Sequence, residues 1–352
     1  MAPVHRHARA QGVLVATILG VALSGCSLVG ASEKPESGKD VVLVTHDSFV
    51  LPKSLIARFD QQSGYHLLVH AAGDGGTLTN KLVLTQDDPT GDVAFGVDNT
   101  FASRALDADV FAKSDVPLPP GVEQYVVPGD DGRLAPIDNG NVCVNIDTTW
   151  FAAEGIAPPE SLDDLIDPAY RDLFVLPGAA SSSTGLAFLL ATIAEYGDDW
   201  PAYWTRLMDN GAKLTAGWSD AYEVDFTQGG GQGDRPIVLS YDSSPAFTID
   251  GGASTTAALL DTCFRQVEYA GVLTGAANPD GAEAVVDWLL SPEVQKALPT
   301  SMYVFPVDGA TELPADWSQY AVQPDEPLSL DPADIAANRD DWLTTWSDVT
   351  SR

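Results

Sequence analysis

The sequence predicts an α/β protein of two lobes, with mixed sheets flanked by helices and a cleft between the lobes. Three observations lead there. Short β-branched runs alternate with helical spacing from Val41 onward, the signature of an open sheet covered by helices. The chain has 352 residues, more than one hydrophobic core usually serves, so roughly two domains are expected. No repeat with a period of 20–50 residues appears, which removes solenoids and propellers. In open α/β sheets, small molecules bind where strand ends meet helix starts.

The elements follow in order. VVLVTH (41–46) is a buried parallel strand. Residues 51–64 carry helical spacing at Leu55, Ile56 and Phe59 and stop at Gly64. A strand at 65–73, a helix at 78–86 and a strand at 92–98 complete a β-α-β-α-β series. The middle of the chain repeats the logic. A strand is expected at 140–146, a helix at 161–172, a short strand at 173–176, and helices at 184–197 and 199–211. GGGQGDRP (229–236) reads as an exposed loop before a strand at 235–244. Another strand is expected at 264–273. Residues 281–298 form a helical pair broken at Pro292, and 331–351 an amphipathic helix anchored by Ile335, Trp342 and Trp346.

Charge excludes several functions. Against 50 Asp and Glu stand 18 Lys and Arg, a formal net charge of −32. Such a chain repels nucleic-acid phosphates and anionic lipid surfaces. Disorder is excluded by a hydrophobic content of 45%, which is ample for a core. Residues 1–25 read as a signal peptide. Arg6 and Arg9 give a positive start, and Val13–Leu23 is an apolar run too short to span a bilayer. Leu23-Ser24-Gly25-Cys26 resembles the lipobox of bacterial lipoproteins, which implies cleavage before Cys26 and acylation of its thiol. Residues 26–40 then read as a lipid-anchored flexible tether of Ser, Gly, Lys, Glu and Pro. Without Arg6 and Arg9, 16 basic residues face 50 acids, and the mature charge is −34. Cys143 and Cys263 are then left in the body. Outside the membrane they either pair as a disulfide or remain two buried thiols.

Enzyme signatures fail one by one. There is no HExxH, and GWSDA (217–221) lacks the closing Gly of a nucleophile elbow. His66 and His70 share a strand face without the further ligands a metal needs, so no metal site is expected. What remains is a set of aromatic and small polar residues at strand-to-helix junctions. Gly73–Thr77 (GDGGT) and Ala179–Thr184 (AASSST) each precede a helix, whose free N–H groups suit an anion or a polar group; each is equally consistent with a plain helix cap. Asp74 can balance a cation. Trp218 and Tyr222 lie at helical spacing, Tyr241–Phe247 breaks into a Pro turn, and Tyr303 and Phe305 sit in a loop after a helix. Several aromatics at such junctions suit a flat ring, and a cationic ring best.

The segments, in this order, resemble the thiamine-binding proteins of bacterial ABC importers, within the wider type II periplasmic solute-binding fold. The matching stretches are Thr45-His46-Asp47-Ser48-Phe49, Asp74-Gly75, Gly96-Val97-Asp98-Asn99, Phe111-Ala112-Lys113-Ser114 and Gly217-Trp218-Ser219-Asp220-Ala221-Tyr222. They continue with Leu239-Ser240-Tyr241, Ser244-Pro245-Ala246, Gln266-Val267-Glu268 and Phe305-Pro306-Val307. The resemblance implies ligand contacts from Asp74, Gly75, Ser182, Ser183 and Trp218. It also implies them from the turn Tyr241, Asp242, Ser243, Ser244 and Pro245. Tyr303 stands where the family can have a stacking Trp. His46, ahead of Asp47, replaces a frequent Tyr, and Phe247 stands where a Tyr can occur. Tyr222 extends the aromatic set.

These carry-overs imply a monomeric, extracytoplasmic, lipid-anchored protein that captures thiamine or its mono- or diphosphate and delivers it to an ABC permease, without a cofactor or covalent chemistry. Aromatics suit the rings, Asp the cation and ring amine, and a Ser-rich helix start the phosphate. The expected lobes are 41–138 with 270–310, and 139–269, followed by a C-terminal segment at 311–352. A disulfide between Cys143 and Cys263 would then brace the region where the chain crosses between lobes. The rival readings are the same fold holding a ferric ion or a polyamine, and a secreted hydrolase. A ferric site would need a Tyr cluster, and Tyr241 is not followed by a second Tyr.

Overall fold

The structure is a computed structural model and describes residues 39–351. The expectations for the signal peptide, for Cys26 and for most of the tether lie outside those residues.

The first lobe begins with β1 (Asp40–Thr45), α1 (Lys53–Ser63), β2 (His66–Ala71), α2 (Gly75–Leu84), β3 (Val93–Asp98) and a short α3 (Ala102–Asp107). Then β4 (Ala135–Asp147), 13 residues long and buried throughout, leads to α4 (Thr148–Glu154). The second lobe adds β5 (Phe174–Pro177), α5 (Ser183–Tyr196), α6 (Trp200–Asp209), β6 (Lys213–Thr215) and β7 (Ile237–Tyr241). A two-stranded ribbon, β8 (Ile249–Asp250) and β9 (Ala253–Ser254), precedes β10 (Thr256–Val272). The chain closes with α7 (Pro279–Leu289), α8 (Pro292–Met302), β11 (Phe305–Pro306), α9 (Ala315–Tyr320) and α10 (Pro332–Thr350).

The strands form one curled mixed sheet in the order β2-β1-β3-β10-β4-β7-β5-β6, with β11 added to β4. Parallel triplets at the two ends, β2-β1-β3 and β7-β5-β6, are the sheets of the two lobes. The antiparallel pair β4 and β10 joins them. The expected lobe limits at 138/139 and 269/270 fall inside these two strands, which run from one lobe into the other. Bulges interrupt the pair between Leu259 and Phe264 and between Glu268 and Tyr269. At the first bulge Thr262 Oγ1 accepts the Val144 N–H at 3.0 Å, so the displaced backbone group stays satisfied. There Cys143 and Cys263, 120 residues apart, are joined by a disulfide.

Local chemistry explains where expectation and structure differ. The helix expected at 161–172 is two short 3₁₀ turns, Asp164–Ile166 and Pro168–Tyr170. Asp164 takes the N–H groups of Glu160 and Ser161, Asp167 takes that of Ala169, and Pro168 supplies no donor, so the acids cap turns instead of continuing a helix. The strand expected at 264–273 begins eight residues earlier, because Thr256–Leu259 extends the ladder with β4. The helices α3, α4 and α9 have no counterpart in the sequence reading; each is six or seven residues long, too short for a clear period. Pro292 opens α8 at a position where its missing N–H is no loss.

Helix α5 is apolar on all sides and buried from Ser183 to Ile193, as a central helix must be. Helix α10 buries Ile335, Arg339, Trp346 and Val349, and only partly Trp342. It reaches both lobes: Arg339 donates to Ser103 Oγ of α3 at 3.1 Å, and Trp346 meets Trp204 of α6 edge-on at 5.7 Å.

Candidate functional site

A cavity of about 230 Å³ opens where both lobes face the strands β4 and β10. The first lobe supplies His46, Asp47, Ser48 and Val50 after β1, Asp74 and Gly75 at the start of α2, and Ser301–Val304 at the end of α8. The second supplies Ser183 and Thr184 at the start of α5, Tyr241 at the end of β7, and Trp218, Ser219 and Glu223 around one wide π-helical turn, Asp220–Asp225. Gln266 and Glu268 rise from β10. They are two residues apart on a strand, so both point the same way.

One wall is aromatic. Trp218 stacks on Tyr222 with ring centroids 5.0 Å apart and planes 12° from parallel. Tyr241 and Tyr303 flank the indole at 6.3 and 5.9 Å. The indole Nε1 donates to Ser240 Oγ at 3.0 Å, and Ser240 bonds Ser244 at 2.8 Å, so the ring plane is fixed from behind. Tyr303 has φ +63°, the left-handed region that non-glycine residues seldom enter. Its carbonyl accepts the Ser243 hydroxyl.

The other wall is acidic. Glu268 is 6% exposed and Asp138, its partner across the β4–β10 ladder, 1%. Burial raises both carboxyls, and their mutual repulsion raises Glu268 further, together with Asp98 and Asp74. Asp98 is pushed up to about 6 by burial, against hydrogen bonds from Thr100, Ser183 and Phe101. His46 Nε2 lies 3.6 Å from Glu268, yet burial lowers its imidazole to about 4, so the ring is neutral near pH 7 and offers no counter-charge. Gly96, at φ +103°, lets that ring approach: a Cβ there would sit 2.2 Å from His46 Cδ2.

The lobes meet at the rim. Asp74 caps its own helix by accepting the Gly75 N–H at 2.6 Å, and it takes the N–H groups of Ser183 at 3.1 Å and Trp218 at 2.8 Å from the facing lobe. Thr77 N–H donates to the Ser181 carbonyl at 3.0 Å, and Ser48 and Ser219 touch through their hydroxyls at 3.2 Å. Gly75 makes this fit: a Cβ would lie 2.1 Å from Ser183 Oγ. The helix start expected to seat an anion therefore already shares its first N–H with a carboxylate.

Of the residues singled out in the sequence, His46, Asp47, Asp74, Gly75, Ser183, Trp218, Tyr241 and Tyr303 line the cavity. The others lie behind it. Ser182 caps α5 through Gly185 N–H and bonds Thr184. Tyr222 backs the indole, and Phe247 packs beneath Tyr303. Asp242 accepts both N–H groups of Asn141, at 3.2 Å from the backbone and 2.6 Å from the side-chain amide. Ser243, Ser244 and Pro245 build the turn that holds Tyr303 and Ser240. His66 and His70 lie on β2; His66 pairs with Asp60 at 2.8 Å. Among the described residues no group of three His, Cys, Asp or Glu is placed to hold a metal ion.

Sequence reasoning missed Gln266, Glu268 and Glu223 as lining groups. None of the three carries a signal: Glu268 and Glu223 are lost among 50 acids, and Gln266 follows Arg265 on a strand that also holds Asp261 and Thr262.

Residues 88–327 match the family described as bacterial extracellular solute-binding protein. A thiamine-binding periplasmic protein of Escherichia coli strain K12 is 30% identical over 330 residues, 90% of this chain and 96% of that relative. One from Brucella melitensis biotype 1 is 29% identical over 342 residues, 93% of this chain and 96% of its own. Among solved structures, a periplasmic thiamin binding protein superposes with a TM-score of 0.77 at 28% identity, covering 89% of this chain and 96% of that one. Iron-bound HitA from Pseudomonas aeruginosa shares the fold with a TM-score of 0.68 at 20% identity, over 88% of this chain and 99% of its own. The chain belongs to the bacterial extracellular solute-binding proteins, a family of two-lobed binding proteins and not of enzymes.

Proposed function

We propose that this protein captures thiamine, or a phosphate ester of it, outside the cytoplasm and presents it to the permease of an ABC importer. The observation that carries the reading is the pairing of the two walls: the Trp218, Tyr241 and Tyr303 rings face a cavity floored by Glu268. A flat cationic heterocycle gains from both, by ring contact on one side and by opposite charge on the other. The relatives named for thiamine binding cover nearly the whole chain and support the choice of cation. Capture works by hinge closure: the rim bonds from Asp74 to Ser183 and Trp218 form only when the lobes meet, and strands β4 and β10 supply the hinge. The protein acts as a monomer, held at the membrane by a lipid on Cys26, the residue that ends the lipobox-like stretch.

Isothermal calorimetry with thiamine, thiamine monophosphate, thiamine diphosphate and spermidine tests the assignment. Saturable one-site binding of a thiamine form, with spermidine weaker, is expected. Heat with spermidine alone would move the protein to the polyamine reading. Labelling with a radioactive fatty acid in a lipoprotein-processing host tests the anchor. Label is expected in the wild type and absent from Cys26→Ala.

A further inference from the structure

Two carboxyls that face each other inside a protein carry more chemistry than a passive negative wall. Asp138 and Glu268 are direct partners across the β4–β10 ladder. Apart from the Glu268 carboxyl itself, no N–H or O–H group of the described residues reaches either Asp138 oxygen. Beside them the Gln266 amide, 2% exposed and lining the cavity, has neither its oxygen nor its nitrogen bonded, and His46 Nε2 is also unpartnered. Buried polar groups are seldom left so, and three such side chains, two lining the cavity and Asp138 behind Glu268, mark a place built to receive a polar, charged guest.

The surroundings offer the pair no cation. It faces the neutral His46 just after β1, Asp74 at the cap of α2, Asp98 at the end of β3 and the Tyr241 hydroxyl at the end of β7. Across the cavity stand Glu223 and Tyr303. Arg265 lies one residue from Gln266, on the other face of β10, where its Nε donates to Asn141 at 2.8 Å. Two buried carboxylates in contact cannot both stay ionised without a positive partner.

We propose that Asp138 and Glu268 share one proton, and that a ligand's cationic ring replaces it, so that capture of each cation releases one proton to solvent. The inference rests on the thiamine reading for its cation. Charge balances in the exchange: the pair goes from one negative charge to two as the ligand brings one positive charge. No covalent bond forms or breaks except the carboxyl O–H, whose proton leaves to buffer. Burial raises both carboxyls, so the pair keeps its shared proton above the usual carboxylate range. By linkage, affinity rises with pH by up to about tenfold per unit while the uncomplexed pair holds its proton, and levels off once that proton is lost.

The test is calorimetry of thiamine binding at about pH 7 in two buffers of different ionisation enthalpy, which counts protons released per ligand, with circular dichroism confirming the fold of each variant. The wild type should release close to one proton. Glu268→Gln should bind at least about tenfold more weakly and release none. Asp138→Asn should still bind, because Glu268 then ionises alone, but release little. That split separates a proton-sharing pair from a merely structural one. Binding by the wild type without proton release, or release unchanged in both variants, overturns the proposal. No binding of any thiamine form by the wild type overturns the vitamin reading, and this exchange with it.

Discussion

Trp218 is held at three points: its indole by the Tyr222 ring it stacks on and by Ser240 through Nε1, and its backbone N–H by Asp74. A ring so fixed loses little freedom when a ligand stacks beside it, which is what makes an aromatic an anchor. Trp218→Ala should weaken thiamine binding by about 1–3 kcal/mol in fluorescence or calorimetric titration. Affinity unchanged in a folded variant would place the ligand elsewhere. Aromatics were legible in the sequence because they are few and fall at element junctions. Asp47 and Asp74 were legible beside conspicuous neighbours, but Glu268 and Glu223 were not, because they differ from the rest of 50 carboxylates only by where the fold puts them. Ser182 and Asp242 show the converse. Both look like ligand groups in sequence, and both already have partners: Ser182 accepts from the start of its own helix, and Asp242 accepts from the backbone and side-chain amide of Asn141.

At the scale of elements, the order of strands and helices in each lobe could be read from periodicity, and the crossing strands could not. The first 140 residues announce a parallel βα series; nothing local says that β4 and β10 pair over 11 positions, since that register joins residues more than 100 apart in sequence. The disulfide pins this long-range pairing. Its loop of about 120 residues is long enough that the chain-entropy model assigns it about 4–5 kcal/mol, with measured values commonly 2–5. Replacing Cys143 and Cys263 together by Ala should lower stability in denaturant unfolding by about 2–5 kcal/mol while leaving one-site binding in the folded fraction. Equal stability with and without the bond would mean that the sheet alone sets the hinge. Gly75 makes a second element-scale case. Gly75→Ala puts a methyl group into Ser183 Oγ across the rim. It should weaken binding more than it lowers the melting temperature, because the severe clash arises where the lobes meet, while the Gly96 carbonyl of the same lobe stands farther off at 3.2 Å; a melting loss with normal affinity would show that the contact is structural alone.

The whole molecule carries −32, or −34 without residues 1–25, and its core holds acids that prefer to be neutral. Their signs decide how stability follows pH. Burial raises Asp98 and Asp242 to about 6 each, and Asp138 and Glu268 upward as well. A carboxyl raised on folding stabilises the native state fully below its unfolded value, and that contribution is lost as pH rises through its folded value. Asp147 works the other way. Burial opposes its charge, but bonds from Thr149, Thr227, Gln228 and Trp150 outweigh burial and lower it. Its contribution is present above the unfolded value and fades as pH falls toward its depressed folded value. Asp74 is raised by burial as well, and Asp164 is lowered by hydrogen bonds from Glu160 and Ser161. Five raised acids against two lowered, together with less self-repulsion as surface carboxylates protonate, put the stability maximum on the acid side of neutral. Melting followed by calorimetry without ligand should therefore give a higher temperature at about pH 5.5 than at about pH 8, and Glu268→Gln should flatten the alkaline side of that curve. Thiamine should narrow the same gap, because it binds best where the pair is most willing to ionise. A melting temperature that climbs steadily from pH 5.5 to pH 8 would mean that these buried carboxyls are charged in the native state, with cations of the surface or solvent holding them so.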